Sequence, residues 1–270
     1  FDIMEKMPFG INKQFPVQKS DGVEKIRDFL LDTRKILDDC VFGHNDAKSQ
    51  VIRIVTQWIT NPNSKGNVIG IQGPMGNGKT TLVKEGVCKA LDIPFSFIPL
   101  GGAQDGSYLE GHGFTYEGST HGRIVESLIQ AKCMNPIFFF DELDKVSETF
   151  KGQEIIGILM HLTDTTQNDK YNDKYFAEID FDLSRALYIF TFNDEEMINP
   201  ILRDRMTIIR TDGYSVDDKV TIGRDYMLPK ILNEYGFNKE DITIDNDIMK
   251  DIIKKIKDEQ GVRNYKSCLL

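Results

Sequence analysis

The chain contains no apolar run near the ~18 residues that a membrane-spanning helix needs, and no signal peptide opens it. No membrane partner is expected. Cysteine is scarce: Cys40, Cys88, Cys133 and Cys268 are scattered without a C-x-x-C pair, which excludes a disulfide framework and suits reduced thiols in a cytosol-like compartment. His44, His112, His121 and His161 make no metal-ligand spacing, so a zinc centre is not expected either. Positive charge is in deficit, with 33 Lys and Arg against 42 Asp and Glu and a net charge of −9. Affinity for nucleic acid would therefore need a local basic patch, and nucleic acid is disfavoured as a partner. Internal repeats and low-complexity linkers are missing as well. What is present, 270 residues with 40% hydrophobic and 28% charged content, suits a globular protein with one α/β core and a smaller second domain. Richness in Ile, Asn, Lys and Asp points to an AT-rich genome, such as that of a large DNA virus.

The run GPMGNGKTT, residues 73–81, fits the phosphate-loop pattern G-x-x-x-x-G-K-[ST]. It stands where that motif must stand. The apolar stretch NVIGIQ precedes it as a strand, and Leu82, Val83, Val87 and Leu91 follow at a helical period. Gly73, Gly76 and Gly78 let the backbone wrap so that amide hydrogens converge on phosphate oxygens at a helix N-terminus. The whole run, Gly73, Pro74, Met75, Gly76, Asn77, Gly78, Lys79, Thr80 and Thr81, is the candidate binding loop for ATP. Lys79 would bridge the outer phosphates and Thr80 would hold Mg²⁺.

Helical patterns at Val23–Leu37 and Val51–Ile59 precede the first strand, and the runs PFSFIPL, PIFFF, ALYIFTF and TIIR read as further buried strands. Such alternation builds a parallel sheet covered on both faces. After Thr211 the pattern turns helical, over Val216–Tyr235 and Ile244–Glu259, with Gly236 and Gly261 as stop signals. The stretch Asp164–Asp182, dense in Asp, Asn, Lys and Tyr, reads as a long polar loop.

IFFFDE ends a buried strand with Asp141 and Glu142, which places both at the carboxyl edge of the sheet beside the phosphate loop. Asp141 would contact the Mg²⁺ shell, and Glu142 would orient and polarise an attacking water. Asn193, at the tip of the next strand, would hold that water without adding charge. Arg203, Arg205 and Arg263 follow in order, though chemistry alone does not make any of them catalytic.

Taken together, ILDDCVFGHNDAKSQV, LGGAQDGSYLEGHGFTYEG, NPIFFFDELDKVS, FDLS, FTFN, LRDRM, LPK and GVRN resemble, in sequence and over about residues 44–263, the AAA+ ATPases and within them the ATPase module of the Lon protease family. The resemblance implies a P-loop α/β core with a five-stranded parallel sheet of order 5-1-4-3-2 and a small helical lid. Domains would run 1–22 as a leader, 23–213 as the ATP-binding domain and 214–270 as an incomplete lid. It further implies that Phe42 and Gly43 flank adenine, that Asn193 is sensor 1, Arg205 the arginine finger on a neighbour's ATP and Arg263 sensor 2. A hexameric ring would pull polypeptide through a pore lined by Tyr116. The chain departs from the family in several places. Glu117 stands where an apolar residue is usual, and Gln104, Glu110, Gly113 and Phe114 fill nearby basic positions, so the grip is expected to be altered or aimed at another polymer. One extra residue between Asn193 and Arg205 makes Arg203 a rival for the finger, and Met75 replaces a proline. The start at Phe1 suggests a portion of something longer, and no Ser-Lys protease dyad occurs before Leu270, so peptidase activity is not assigned. Two other readings stay open: a nucleotide-binding scaffold in a large assembly, motivated by the altered pore loop, and an AAA+ nucleic-acid remodeller.

Overall fold

A computed structural model describes residues 3–61, 68–113, 118–177, 179–238, 240–256 and 259–270. Five strands form a parallel sheet: β1 (Val68–Gln72), β2 (Phe95–Pro99), β3 (Ile137–Asp141), β4 (Leu187–Phe192) and β5 (Thr207–Arg210). Their order is β2-β3-β4-β1-β5, which read from the other edge is 5-1-4-3-2 as expected. The register sets Gln72 beside both Phe192 and Arg210, so the carboxyl ends of the three strands nearest the phosphate loop finish at one level.

The inner strands β1, β3 and β4 are almost wholly buried because both faces are covered, whereas the edge strands β2 and β5 are partly exposed. On one face Phe138, Phe140, Tyr188 and Phe190 pack against α4 (Arg123–Ala131) and α5 (Phe150–Thr163). The alternate residues Ile137, Phe139, Leu187 and Ile189 meet α1 (Val23–Cys40), α2 (Asn45–Thr60) and α3 (residues 79–91) on the other face. Phe140 and Phe190 stack at 4.9 Å across adjacent strands. Each such ring contributes roughly 1.5–3 kcal/mol on burial, so replacing Phe139, fully buried in this layer, with Ala is expected to cost about 3–5 kcal/mol.

Residues 3–22 lie across the large layer. Asn135 and Lys13 exchange two hydrogen bonds of 2.8 and 2.9 Å, the Met134 N–H donates to Ile11, Met7 and Val17 are buried, and Phe15 stacks on Trp58.

The expected polar loop at 164–182 is instead an ordered ribbon, Tyr171–Asn172 against Asp180–Phe181, with Tyr171 and Phe181 fully buried. Two of its carboxylates are bonded locally, although Thr165, Gln167, Lys170, Asp180 and Asp182 remain exposed. Asp164 accepts from the Thr166 N–H, and Asp173 from the N–H groups of Tyr175 and Gly122.

A third apolar cluster joins Val220, Leu228, Leu232, Met249, Ile253 and Tyr265. It holds together the helices after the sheet, α7 (residues 216–234), α8 (Asn246–Lys255) and α9 (Arg263–Leu269), while the short α6 (Pro200–Asp204) lies between β4 and β5. Gly236, at φ 78°, ends α7 as expected. The second helix stops at Lys255, short of Glu259, because Glu259 caps α9: its carboxylate accepts from the N–H groups of Asn264 at 2.6 Å and Tyr265 at 3.1 Å. Among the described residues no helix is long and apolar enough to cross a membrane.

Candidate nucleotide site

The phosphate loop joins β1 to α3, and Gly76 (φ 75°) and Gly78 (φ 94°) adopt the left-handed backbone that its curl requires. Gly73 is bare for a different reason. A Cβ there would stand 2.4 Å from the Thr211 carbonyl oxygen. Asn77, only 1% exposed, ties the loop to the chain leaving β5, its Nδ2 donating to Thr211 Oγ1 at 2.8 Å. The Asn77 carbonyl lies 2.8 Å from the Tyr214 hydroxyl and 2.9 Å from His44 Nε2. Burial lowers the His44 pKa and raises that of Tyr214, so both are neutral at pH 7, and both can donate to that carbonyl with His44 in its Nε2–H tautomer.

Lys79 curls back onto its own loop, donating to the carbonyls of Gly73 (2.6 Å) and Pro74 (2.8 Å) and to Asn193 Oδ1 (3.2 Å). Burial pulls its pKa down to about 8, against the opposing pull of Asp141, Asp144 and Glu142. This ammonium is a desolvated cation whose ordinary acidity a phosphate would restore. Asn193 is anchored in turn, its carbonyl accepting from Gln72 Nε2 at 2.9 Å.

Asp141 ends β3 and accepts a hydrogen bond from the Thr191 hydroxyl; Glu142 follows at φ 60°, a left-handed backbone uncommon for its residue type. The Glu142 side chain passes over Gly101, where an added Cβ would stand 2.4 Å from Oε2. Asp144 is buried next along the chain, with Lys145 at 3.4 Å.

These groups share one cavity of about 340 Å³. Phe42, Tyr214 and Tyr226 form its aromatic end, with Phe42 edge-on to Tyr226 at 6.1 Å. Met75, Gly76, Asn77, Gly78, Lys79, Thr80 and Thr81 line the loop side, Asp141, Glu142, Thr191 and Asn193 the strand ends, and Lys230, Arg263 and Lys266 the lid. The lid closes down on the loop through backbone: the Val262 N–H donates to Gly76 O at 3.0 Å, and a Cβ on Gly261 would meet Met75 O at 2.2 Å. Gly43, Gly73 and Pro74 are not among its lining residues.

Arg205 is not in this cavity. Its guanidinium pairs with Asp164 at 3.0 Å and donates to the Met160 carbonyl at the end of α5. Arg203 makes no side-chain hydrogen bond or ion pair among the described residues, and Tyr116 lies outside them.

With the geometry in place, comparison with known proteins is decisive: residues 69–214 match the ATPase family associated with various cellular activities (AAA). The chain belongs to the AAA family of ATPases. Within that family it is a Lon-like module. It is 41% identical over 259 residues to a Lon protease homolog of Acanthamoeba polyphaga mimivirus, covering 96% of this chain and 25% of that protein. Lon proteases of Cytophaga hutchinsonii and Malacoplasma penetrans are 34% and 35% identical, over 97% and 93% of this chain and 31% of each relative. The chain thus spans between a quarter and a third of the length of these relatives.

Several of this AAA module's site residues escape a reading by motif. His44, Gln72, Thr191, Thr211 and Tyr214 act through juxtapositions that no spacing announces. The one available signal is polarity out of place, such as a threonine inside the apolar run ALYIFTF or an asparagine inside the glycine loop.

Proposed function

We propose that the chain binds ATP in this cavity and hydrolyses it with Mg²⁺ at interfaces between copies in a ring, to unfold or thread polypeptide. The observation that carries this is the meeting, in one cavity, of the phosphate loop from Met75 to Thr81, the Asp141–Glu142 pair, Asn193 and Arg263. The loop amides and Lys79 bind and orient the phosphates. Glu142 takes the proton of an attacking water, and Asn193 orients that water beside it. Phe42, Tyr214 and Tyr226 supply flat apolar surfaces for the base. Arg263, carried on the lid, lets the bound phosphates pull the lid towards the sheet, and so links the contents of the cavity to the domain angle.

The residues present fit Mg²⁺. Thr80 and Asp141 offer hard oxygen donors on the same wall, and Asp141 Oδ2 has no protein partner among the described residues. Bound there, the ion would neutralise charge on the terminal phosphates. The ring, the polypeptide and the grip by Tyr116 rest on the family alone, as does an attached protease domain.

Glu142→Gln is the test. It is expected to retain ATP with near wild-type affinity while turnover falls at least ~100-fold, read by nucleotide retention and by phosphate release. Normal turnover in that variant would defeat the assignment.

A further inference from the structure

Parallel pairing of β3 with β4 sets Phe140 beside Phe190, so the next position along brings Thr191 level with Asp141. Thr191 is 1% exposed yet lines the cavity wall. Its hydroxyl bridges two groups: it donates to Asp141 Oδ1 and accepts from the Glu142 backbone N–H at 3.4 Å. Those two partners are the two acidic residues at the centre of the proposed chemistry. From this arrangement we infer that Thr191 is a positioning residue, which fixes the Asp141 carboxylate and the Glu142 backbone together so that metal side and water side stay in register.

Two features give the inference its force. Glu142 sits in a left-handed conformation (φ 60°, ψ 50°) that a glutamate adopts only when its surroundings compel it. The bond to its N–H is one such restraint, and the close backbone of Gly101 shapes the side-chain path on the other side. Asp141, meanwhile, has one oxygen committed to Thr191 and the other without a protein partner among the described residues, so a single hydroxyl sets which oxygen is presented to the cavity. Hydrogen bonds to metal-holding carboxylates typically govern metal affinity or activity by 10–100-fold. A buried threonine inside an apolar strand has a plainer explanation, bonding to its own backbone, but here the hydroxyl reaches across to the neighbouring strand.

The inference rests on the ATP reading above, and the test separates the two. Thr191→Val keeps the shape and removes the hydroxyl, whereas Thr191→Ser keeps the hydroxyl and removes a methyl. Binding of a fluorescent methylanthraniloyl-ADP is measured with Mg²⁺ and with chelator, and turnover is followed across Mg²⁺ concentrations. In Thr191→Val the chelator affinity is expected to equal wild type, the tightening produced by Mg²⁺ to shrink about tenfold, and kcat to fall ~10–100-fold with KM for ATP within threefold. Thr191→Ser is expected to restore most of each. Should Val unfold the sheet, Thr191→Ala lacks the hydroxyl without demanding space and carries the same expectations. Wild-type Mg²⁺ response and kcat in the Val or Ala variant, or equal losses in Ser and Val, would overturn the role of the hydroxyl while leaving the ATP reading intact. A wild-type protein that takes up no labelled ADP would overturn both.

Discussion

Two glycines near the site show how differently one methyl group acts depending on what it meets. At Gly73 the added Cβ would press against the hydroxyl and carbonyl of Thr211, whose backbone N–H is tied to the Gln72 carbonyl just past β5, so backbone must shift. At Gly101 the same atom meets only the tip of Glu142, which can swing away. Gly73→Ala is therefore expected to destabilise the fold by about 1–3 kcal/mol, a loss of several degrees in melting temperature. Gly101→Ala is expected to melt within about a degree of wild type but to turn over ATP ~10–100-fold more slowly, since a catalytic group moved by an ångström loses that much. Melting and steady-state turnover on the two variants decide it, and a Gly101→Ala enzyme with full activity would show that Glu142 reaches its working position by another path. At this scale the phosphate loop was legible because its function demands glycines and a lysine at set offsets. Thr191 was not, because a hydroxyl reaching sideways into the next strand leaves no mark on the spacing of its own strand.

Among the elements, the inner sheet strands could be read because a strand buried on both faces must be largely apolar, and PIFFF or ALYIFTF admits little else at that length. The ribbon at 171–181 could not be read, since its two strands are two residues each and its buried carboxylate looks like surface polarity in a string of Asp and Asn. That carboxylate, Asp173, is fully buried and receives N–H groups from Tyr175 and from Gly122, at the foot of the segment in which Tyr116 falls. Burial pushes its pKa up to about 6. An unfolded Asp titrates near 3.8, so between those values the folded form holds the proton more tightly, and this residue's contribution to stability decreases as pH rises from about 4 to 6 and is level above. Wild type is therefore expected to gain ~1 kcal/mol relative to Asp173→Asn on going from pH 7 to pH 5. Urea midpoints at the two pH values measure it, and a difference that does not change with pH would mean that Asp173 titrates normally.

For the molecule as a whole, the cavity is lined by Lys79, Thr80, Asp141, Glu142, Asn193 and Arg263 but not by Arg205, so a site that needs Arg205 as its finger would be incomplete in a single copy. Its guanidinium is braced by Asp164 and by the carbonyl of Met160 at the C-terminal end of α5, where a cation is also favoured by the helix dipole. That bracing restrains the guanidinium outside its own cavity, which a finger proposed to act on another subunit's phosphate would need. Arg203, two residues earlier, has no such brace among the described residues. Arg205→Ala is thus expected to keep ATP affinity within a few-fold and to lose ~10³-fold in turnover, the scale of an arginine supplied in trans. Mixing decides the geometry. Subunits carrying Arg205→Ala retain Glu142, and subunits carrying Glu142→Gln retain the finger, so the two inactive variants combined are expected to recover part of the wild-type rate at interfaces that pair an intact site with an intact arginine. If Arg203→Ala shows the loss and the recovery on mixing while Arg205→Ala shows neither, the extra residue after Asn193 has moved the finger to Arg203, and the Asp164 brace serves the fold alone.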